Sequence, residues 1–412
     1  MAQKTGRAPF LAYGRQQIDA DDIAAVVRVL EGDWLTNGPD VEAFERDFAA
    51  VVSATHAVSC ANGTAALHMA AYAARLGPDS SAIVPSITFL ATANCARYVG
   101  AEVVFADVDP HSGLLTPETL ESALARANQT GAPKPKAVLP VHLNGQTCDL
   151  VGIAEVAKRH DLVVIEDACH AVGTIGDGPG AERDPVGACR HSAMTVFSFH
   201  PVKTITTGEG GMVTTADDEL AARLRRFRNH GLDRDPKSFT LREQGFGSDG
   251  EPNPWYYEMA EPGFNYRLTD IACALGISQL KKLPRFAATR RRLAGRYDQR
   301  LASLAPTLRT VPRNAWCDPA LHLYVALIDY ARTGMDRSAF MRKLKALGIG
   351  TQVHYLPVHR QPYYRDRYGT ADLPGADAYY ARCLSLPLQP GMTDADVDRV
   401  VDALKTVIAS PS

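Results

Sequence analysis

Residues 196–211 read VFSFHPVKTITTGEGG. A short apolar strand runs out into Ser198, His200 and Lys203, in a turn that Pro201 constrains, and then into Thr206, Thr207 and a run of glycines. A lysine fixed in a short loop at a strand end can form a Schiff base with an aldehyde cofactor. The hydroxyls and backbone N–H groups around it suit a phosphate. Read alone, the same residues also describe a solvated lysine in a Thr/Gly turn.

Outward from this stretch, apolar runs at 82–85, 103–108, 137–141 and 162–166 precede it, and another at 212–215 follows. Helical patterns at 64–76, 117–126 and 150–159 lie between them, and a further one spans 217–228. Strands alternating with helices predict an α/β domain with a mostly parallel sheet covered on both faces. Near the N-terminus, Asp19 can cap a helix in which Ile23, Val26, Val27 and Leu30 recur at helical spacing. Residues 233–263 are rich in Pro, Gly and charge and carry Trp255, Tyr256 and Tyr257, a loop long enough to be either disordered or functional. Two helical patterns follow at 269–282 and 284–301. Strand (322–329), helix (336–347), strand (351–355) and helix (394–408) then make a small α+β domain. The 412 residues thus divide into a large domain at 1–265, its first 35 or so residues packing across it, and connecting helices with a small domain at 266–412.

LVVIED at 162–167 reads as a buried parallel strand with an acid at its C-terminal end, where open α/β sheets bind ligands. Asp167 can pair with the pyridine nitrogen of pyridoxal 5'-phosphate (PLP) and keep it protonated. The same residue also suits a helix cap or a metal ligand, although the chain shows no matching carboxylate–histidine set, and no metal is expected. His170, one helical turn on, can contact the ring oxygen, stack on the ring or simply pack. Asn62, Gly63 and Thr64 open the helix at 64–76, where backbone N–H groups face an anion; they equally make an ordinary cap. Phe89 opens another helical segment and can lie on the cofactor ring or in the core.

The formal net charge of −2 gives no basic field for nucleic acid or an anionic membrane. Arg290, Arg291 and Arg292 read as a solvated helix face. The eight cysteines show no C-x-x-C pair and read as buried free thiols in a reducing cytosol. MAQKTGRAPFLAYGRQQ carries no apolar signal core, and no stretch approaches the roughly 18 apolar residues of a membrane helix. A cytoplasmic protein is expected.

A phosphate turn, an aromatic, a strand-end aspartate and a lysine loop thus follow one another along one α/β domain. In this order the chain resembles the aspartate-aminotransferase-like fold (fold type I) and, within it, the DegT/DnrJ/EryC1/StrS family of PLP-dependent sugar aminotransferases. The matching segments are DWLTNGPDVEAFE (33–45), ANGTAALH (61–68), IEDACHAVG (165–173), the lysine run and GFNYRLTDIACALGISQL (263–280). The resemblance implies that Lys203 is the Schiff-base lysine and Asp167 the partner of the ring nitrogen. It implies further that Gly63, Thr64 and Ser198 bind the phosphate, that Phe89 stacks on the ring and that His170 contacts the cofactor. Asn265 matches an asparagine that reaches the phosphate of the neighbouring subunit, which implies a homodimer with shared active sites. Tyr13, His354 and Tyr355 are candidates for substrate contact.

VGACRHSAMT ahead of the lysine run, QVHYLPVHRQPYY (352–364) and LSLPLQPGMT (384–393) are similar to the branch that makes UDP-4-amino-4,6-dideoxy-N-acetyl-β-L-altrosamine, the pseudaminic-acid precursor. The implied reaction passes the amino group of L-glutamate through pyridoxamine 5'-phosphate to C4 of a nucleotide-linked 4-keto-6-deoxy sugar. Three departures bear on the sugar: the ANGT turn lacks the serine usual in that branch, Asn37 stands where glutamine is usual, and 233–261 is long. Other readings are an aminotransferase for a D-configured 4-keto or a 3-keto sugar, a PLP-dependent sugar dehydratase, and a regulator without catalysis. Dehydratase relatives carry histidine at the lysine position, so Lys203 opposes that reading. Asp167, Ser198 and Lys203 together oppose the regulator.

Overall fold

The computed structural model describes residues 9–180 and 182–410. Seven strands form the main sheet: β1 (His56–Cys60), β2 (Ser81–Pro85), β3 (Glu102–Ala106), β4 (Pro135–Val138), β5 (Val163–Asp167), β6 (Met194–Ser198) and β7 (Gly211–Thr215). Their order is β1-β7-β6-β5-β4-β2-β3. Neighbours among β2 to β6 pair in parallel, while β7 runs against both β6 and β1. The apolar runs form strands because helices cover both faces, and every residue of β2, β6 and β7 is buried. β1 was not anticipated: HAVSC mixes polar and apolar residues, and its pairing with β7 is long-range.

The helices in the first part are α1 (Ala20–Leu30), α2 (Pro39–Val51), α3 (Gly63–Ala73), α4 (Leu90–Tyr98), α5 (Pro117–Thr130), α6 (Leu150–His160) and α7 (Asp218–Arg228). Asp19 caps α1 as expected, with Asp22 completing a capping box. The helix turns the other way from its apolar spacing, however. Ile23, Val27 and Leu30 are exposed, while Asp22 is buried against Gln279 and Lys282.

Residues 233–263, read as a loop, carry a fold of their own. β8 (Leu232–Asp233) pairs with β9 (Glu258–Met259), and the short α8 (Arg242–Gly245) lies between them. Phe239 is buried with the rings of Phe246 and Tyr256 edge-on to it. The Glu258 carboxylate accepts the N–H groups of Leu241 and Thr240 and the hydroxyls of Thr240 and Tyr256, and these bonds hold it down to about 2.

The two helices expected at 269–282 and 284–301 are one, α9 (Asp270–Leu301), which runs through Pro284. The bond lost at proline is outweighed by apolar burial on both sides of it, at Leu280, Leu283, Phe286 and Leu293. The run at 290–292 is also not a solvated face. Arg290 is completely buried, while Arg291 and Arg292 pair with Asp318 and Asp394. Beyond α9, β10 (Leu308–Thr310), β11 (Tyr324–Ile328) and β12 (Cys383–Leu386) form an antiparallel sheet. Phe340, Leu344, Val397, Val401 and Leu404 share its core. Among the described residues no helix is long and apolar enough to cross a membrane.

Candidate active site

The C-terminal ends of β5 and β6 and the start of α3 border a cavity of about 680 Å³. The segment at 352–356 borders it too. It brings together Tyr13, Gly63, Thr64, Phe89, Asp167, His170, Ser198, Lys203, His354 and Tyr355, every sequence candidate except Asn265. Asn265 is exposed and outside the cavity, bridged through its backbone to Asn229.

The lysine loop is built by its own backbone. Phe199 closes the strand end through its N–H to Gly210 (2.9 Å), and its carbonyl accepts the Thr207 N–H (3.0 Å) and the Thr206 hydroxyl (2.9 Å). The Lys203 N–H donates to the His200 carbonyl (2.8 Å). Beneath the loop the rings of Phe44, Phe48, Phe197 and Phe199 meet edge-on at 5.0–6.2 Å, each contact contributing about 0.5–1.5 kcal/mol beyond area burial. The Lys203 amine itself makes no hydrogen bond or ion pair with a described residue. Burial holds its pKa below the ordinary lysine value, against the opposing pull of Cys169 and Asp167.

Asp167 ends β5 with both carboxylate oxygens engaged. Oδ2 accepts the Thr92 hydroxyl (2.6 Å), itself bonded to that of Thr88 (2.7 Å), and Oδ1 accepts the Cys169 N–H (3.1 Å). Thr92 was missed in the sequence because a threonine inside a helix carries no signal of what it faces. At the other side, Asn62 caps α3 by accepting the Ala65 N–H (2.8 Å). The absence of a side chain at Gly63 is required: a Cβ there would lie 2.9 Å from Ser198 Cβ and 3.1 Å from its Oγ. Phe89, the residue before α4, leaves 55% of its surface open, with its ring 6.0 Å from that of Tyr355.

The His170 ring is fixed at both nitrogens. Nδ1 accepts the Asn144 N–H (3.3 Å), so Nε2 carries the proton and meets the Tyr355 hydroxyl (3.1 Å). The ring face is what His170 has left to offer. Burial, reinforced by Lys203, keeps His170 neutral, and it depresses His354 to about 3. His354 Nδ1 bonds Ser385 Oγ at 2.7 Å, and burial likewise raises the Tyr355 phenol.

The donor set fits PLP. A free, easily deprotonated amine suits the aldehyde, and a fixed carboxylate suits the ring nitrogen. A helix N-terminus opened by glycine beside a serine suits the phosphate. Gly63→Ala is therefore expected to weaken cofactor binding about tenfold, from an overpacking cost of about 1–3 kcal/mol. Titration of the apoprotein with PLP checks this, and an unchanged affinity would remove α3 from the phosphate site.

The sequence signature of the DegT/DnrJ/EryC1/StrS aminotransferase family spans residues 16–405. The spore coat polysaccharide biosynthesis protein SpsC of Bacillus subtilis is 40% identical, with 99% of each chain covered. Helicobacter pylori PseC, an aminotransferase involved in pseudaminic acid biosynthesis, superimposes with a TM-score of 0.85 at 27% identity, covering 97% of this chain and 99% of its own. The sugar aminotransferase candidate Spr1654 of Streptococcus pneumoniae, in its PMP form, gives 0.83 at 26% identity, covering 98% and 99%, and its PLP form is also similar.

Proposed function

The chain belongs to the DegT/DnrJ/EryC1/StrS family of PLP-dependent sugar aminotransferases, and on that premise we propose that it aminates C4 of a nucleotide-linked 4-keto-6-deoxy sugar. The amino donor in this reading is L-glutamate, and the sugar is UDP-2-acetamido-2,6-dideoxy-β-L-arabino-hex-4-ulose. The observation that carries it is the Lys203 amine, without a hydrogen-bond or ion-pair partner among the described residues, in one cavity with the Asp167 carboxylate. PseC supports the choice of sugar. The alternative is a different nucleotide-linked keto-hexose, D-configured 4-keto or 3-keto. The higher identity to SpsC, a spore coat polysaccharide biosynthesis protein, supports an amino-sugar product outside the pseudaminic branch without naming the sugar.

PLP, when bound, supplies an electron sink for the carbanion at the carbon that gains or loses nitrogen. Lys203 would hold the cofactor and, once freed by the donor, move a proton at the donor's α-carbon. Its depressed pKa leaves more of the amine free to act as a base. Asp167 would face the ring nitrogen, oriented by Thr92 and Cys169. Gly63, Thr64 and Ser198 would hold the phosphate, Phe89 would cover the ring, and His170 would lie against it. Tyr13 and His354, with ring centroids 5.4 Å apart, would face the sugar together with Tyr355.

A homodimer with shared sites is part of this reading. The position of Asn265 outside its own cavity supports it, as do the exposed Ile23, Val27, Leu30, Trp34 and Leu35 at the N-terminal end of the chain. Light scattering should return twice the 44.5 kDa chain mass, and a monomer would refute the shared site. The direct test is mass spectrometry of protein, PLP, L-glutamate and the UDP-keto sugar. An amino-sugar product is expected. Conversion of bound PLP by glutamate without sugar product would keep the aminotransferase and discard the sugar.

A further inference from the structure

The cavity wall carries a further histidine that the sequence reading passed over as part of a strand. His322 is 4% exposed, lines the cavity and lies with its ring 4.5 Å from that of His170. Neither of its nitrogens hydrogen-bonds to a described residue, and Nδ1 is completely enclosed. A buried polar ring left unpartnered on a cavity wall is a group awaiting a ligand.

Behind it sits Arg290 of α9, fully buried. One guanidinium nitrogen donates to the carbonyls of Leu321 (3.3 Å), His322 (3.1 Å) and Leu388 (3.0 Å). Its Nε and other terminal nitrogen have no partner, and no carboxylate among the described residues pairs with it. Opposite, Gly145 at φ +96° lets the chain come close, since a Cβ there would lie 3.0 Å from Leu321 N and 3.1 Å from His322 N. The backbone carrying His322 is thus clamped from two sides.

We propose that His322 binds the α-carboxylate of the amino donor through Nε2–H, with the uncompensated charge of Arg290 behind it. A buried guanidinium without a carboxylate is costly until an anion approaches. Of the ionisable groups that act on His322, Lys203 and Arg290 can carry positive charge, His170 and His354 are neutral, and none is acidic. An anion suits that wall better than a neutral sugar hydroxyl does. The guanidinium also sets the tautomer. A cation on the backbone side favours the lone pair on enclosed Nδ1, which leaves the proton on Nε2, towards the cavity. Burial keeps the ring neutral, so it serves as a directed donor rather than a second cation.

This inference rests on the reading of the cavity as the aminotransferase site and of L-glutamate as donor. The test uses PLP-loaded enzyme titrated with 2-methylglutamate, which can bind but has no α-proton to lose, followed by absorbance. His322→Phe is expected to raise the half-saturating concentration about ten- to a hundredfold, the loss of one hydrogen bond to a charged group. Affinity for PLP, and calorimetric affinity of the amine-loaded form for the UDP sugar, should stay within about threefold. His322→Gln, whose amide reaches the Nε2 position, should bind within a few-fold of wild type. His322→Asn, whose amide reaches only the Nδ1 position, should resemble phenylalanine. Wild-type affinity in the phenylalanine variant, or an equal loss for the UDP sugar, overturns the assignment. Wild-type enzyme that responds to neither glutamate nor 2-methylglutamate overturns the choice of donor instead, a result readily told apart from an unaltered variant.

Discussion

Lys203→Ala should lose about 10⁴-fold in turnover, because in the proposed function this one side chain would both hold the cofactor and move the proton. The loss should not come from unfolding. The lysine loop hangs on backbone bonds from Phe199 and on a cluster of phenylalanine rings, none of which needs the amine. The sign of the stability change follows from the depressed Lys203 pKa. The folded state binds its proton less readily than the unfolded chain, whose lysine titrates near 10.5. Wild-type stability therefore rises with pH between the folded and unfolded values, and below the folded value the penalty is complete. Alanine removes it. Calorimetry of the two apoproteins should give the variant a Tm at or above wild type at pH 7.5, with the gap closing towards pH 10.5. The variant should still bind PLP, without the absorbance of the lysine-linked form, and a small primary amine should restore part of the first half-reaction. Turnover within tenfold of wild type would take the cofactor-holding role away from Lys203.

Why so much of this site is readable in the sequence, and the rest is not, comes down to the range of the interactions involved. LVVIED is legible as a strand because a parallel sheet buried on both faces demands an unbroken apolar run, and the acid at its end can only point to the ligand edge. The lysine loop is legible because its geometry is local, a proline and paired threonines within a dozen residues. Thr92 and His322 are illegible for the opposite reason. Each meets the site through a contact with a distant part of the chain, and locally one is a helix residue and the other lies in an apolar LHLY run that reads as core. Arg290 misled for a related reason: three consecutive arginines look solvated, yet a helix points them in three directions, and one of these is inward. The outward turn of Ile23, Val27 and Leu30 has the same origin. Periodicity fixes that a helix has two faces, and the Asp22–Lys282 contact, far apart in sequence, decides which face turns in.

The second large effect is expected at Asp167, and it separates charge from shape. Asparagine is nearly isosteric with aspartate, and the surroundings can accept it. Its carbonyl can take the Cys169 N–H that now reaches Oδ1, and the Thr92 hydroxyl can turn to accept from the amide in place of donating to Oδ2. Asp167→Asn should therefore fold, load PLP and bind substrate much as wild type does. What it lacks is the negative charge that would hold a proton on the ring nitrogen, and a fixed charge facing a reacting system is worth about 10²- to 10³-fold in rate. The loss should fall on proton transfer at the donor's α-carbon, so α-deuterated L-glutamate should show a larger isotope effect in the variant. Thr92→Val, which removes one hydrogen bond from the same carboxylate and leaves its charge, should cost far less, about tenfold at most. If asparagine and valine cost the same, orientation rather than charge is what Asp167 contributes. If asparagine costs less than threefold, this carboxylate does not face the ring nitrogen.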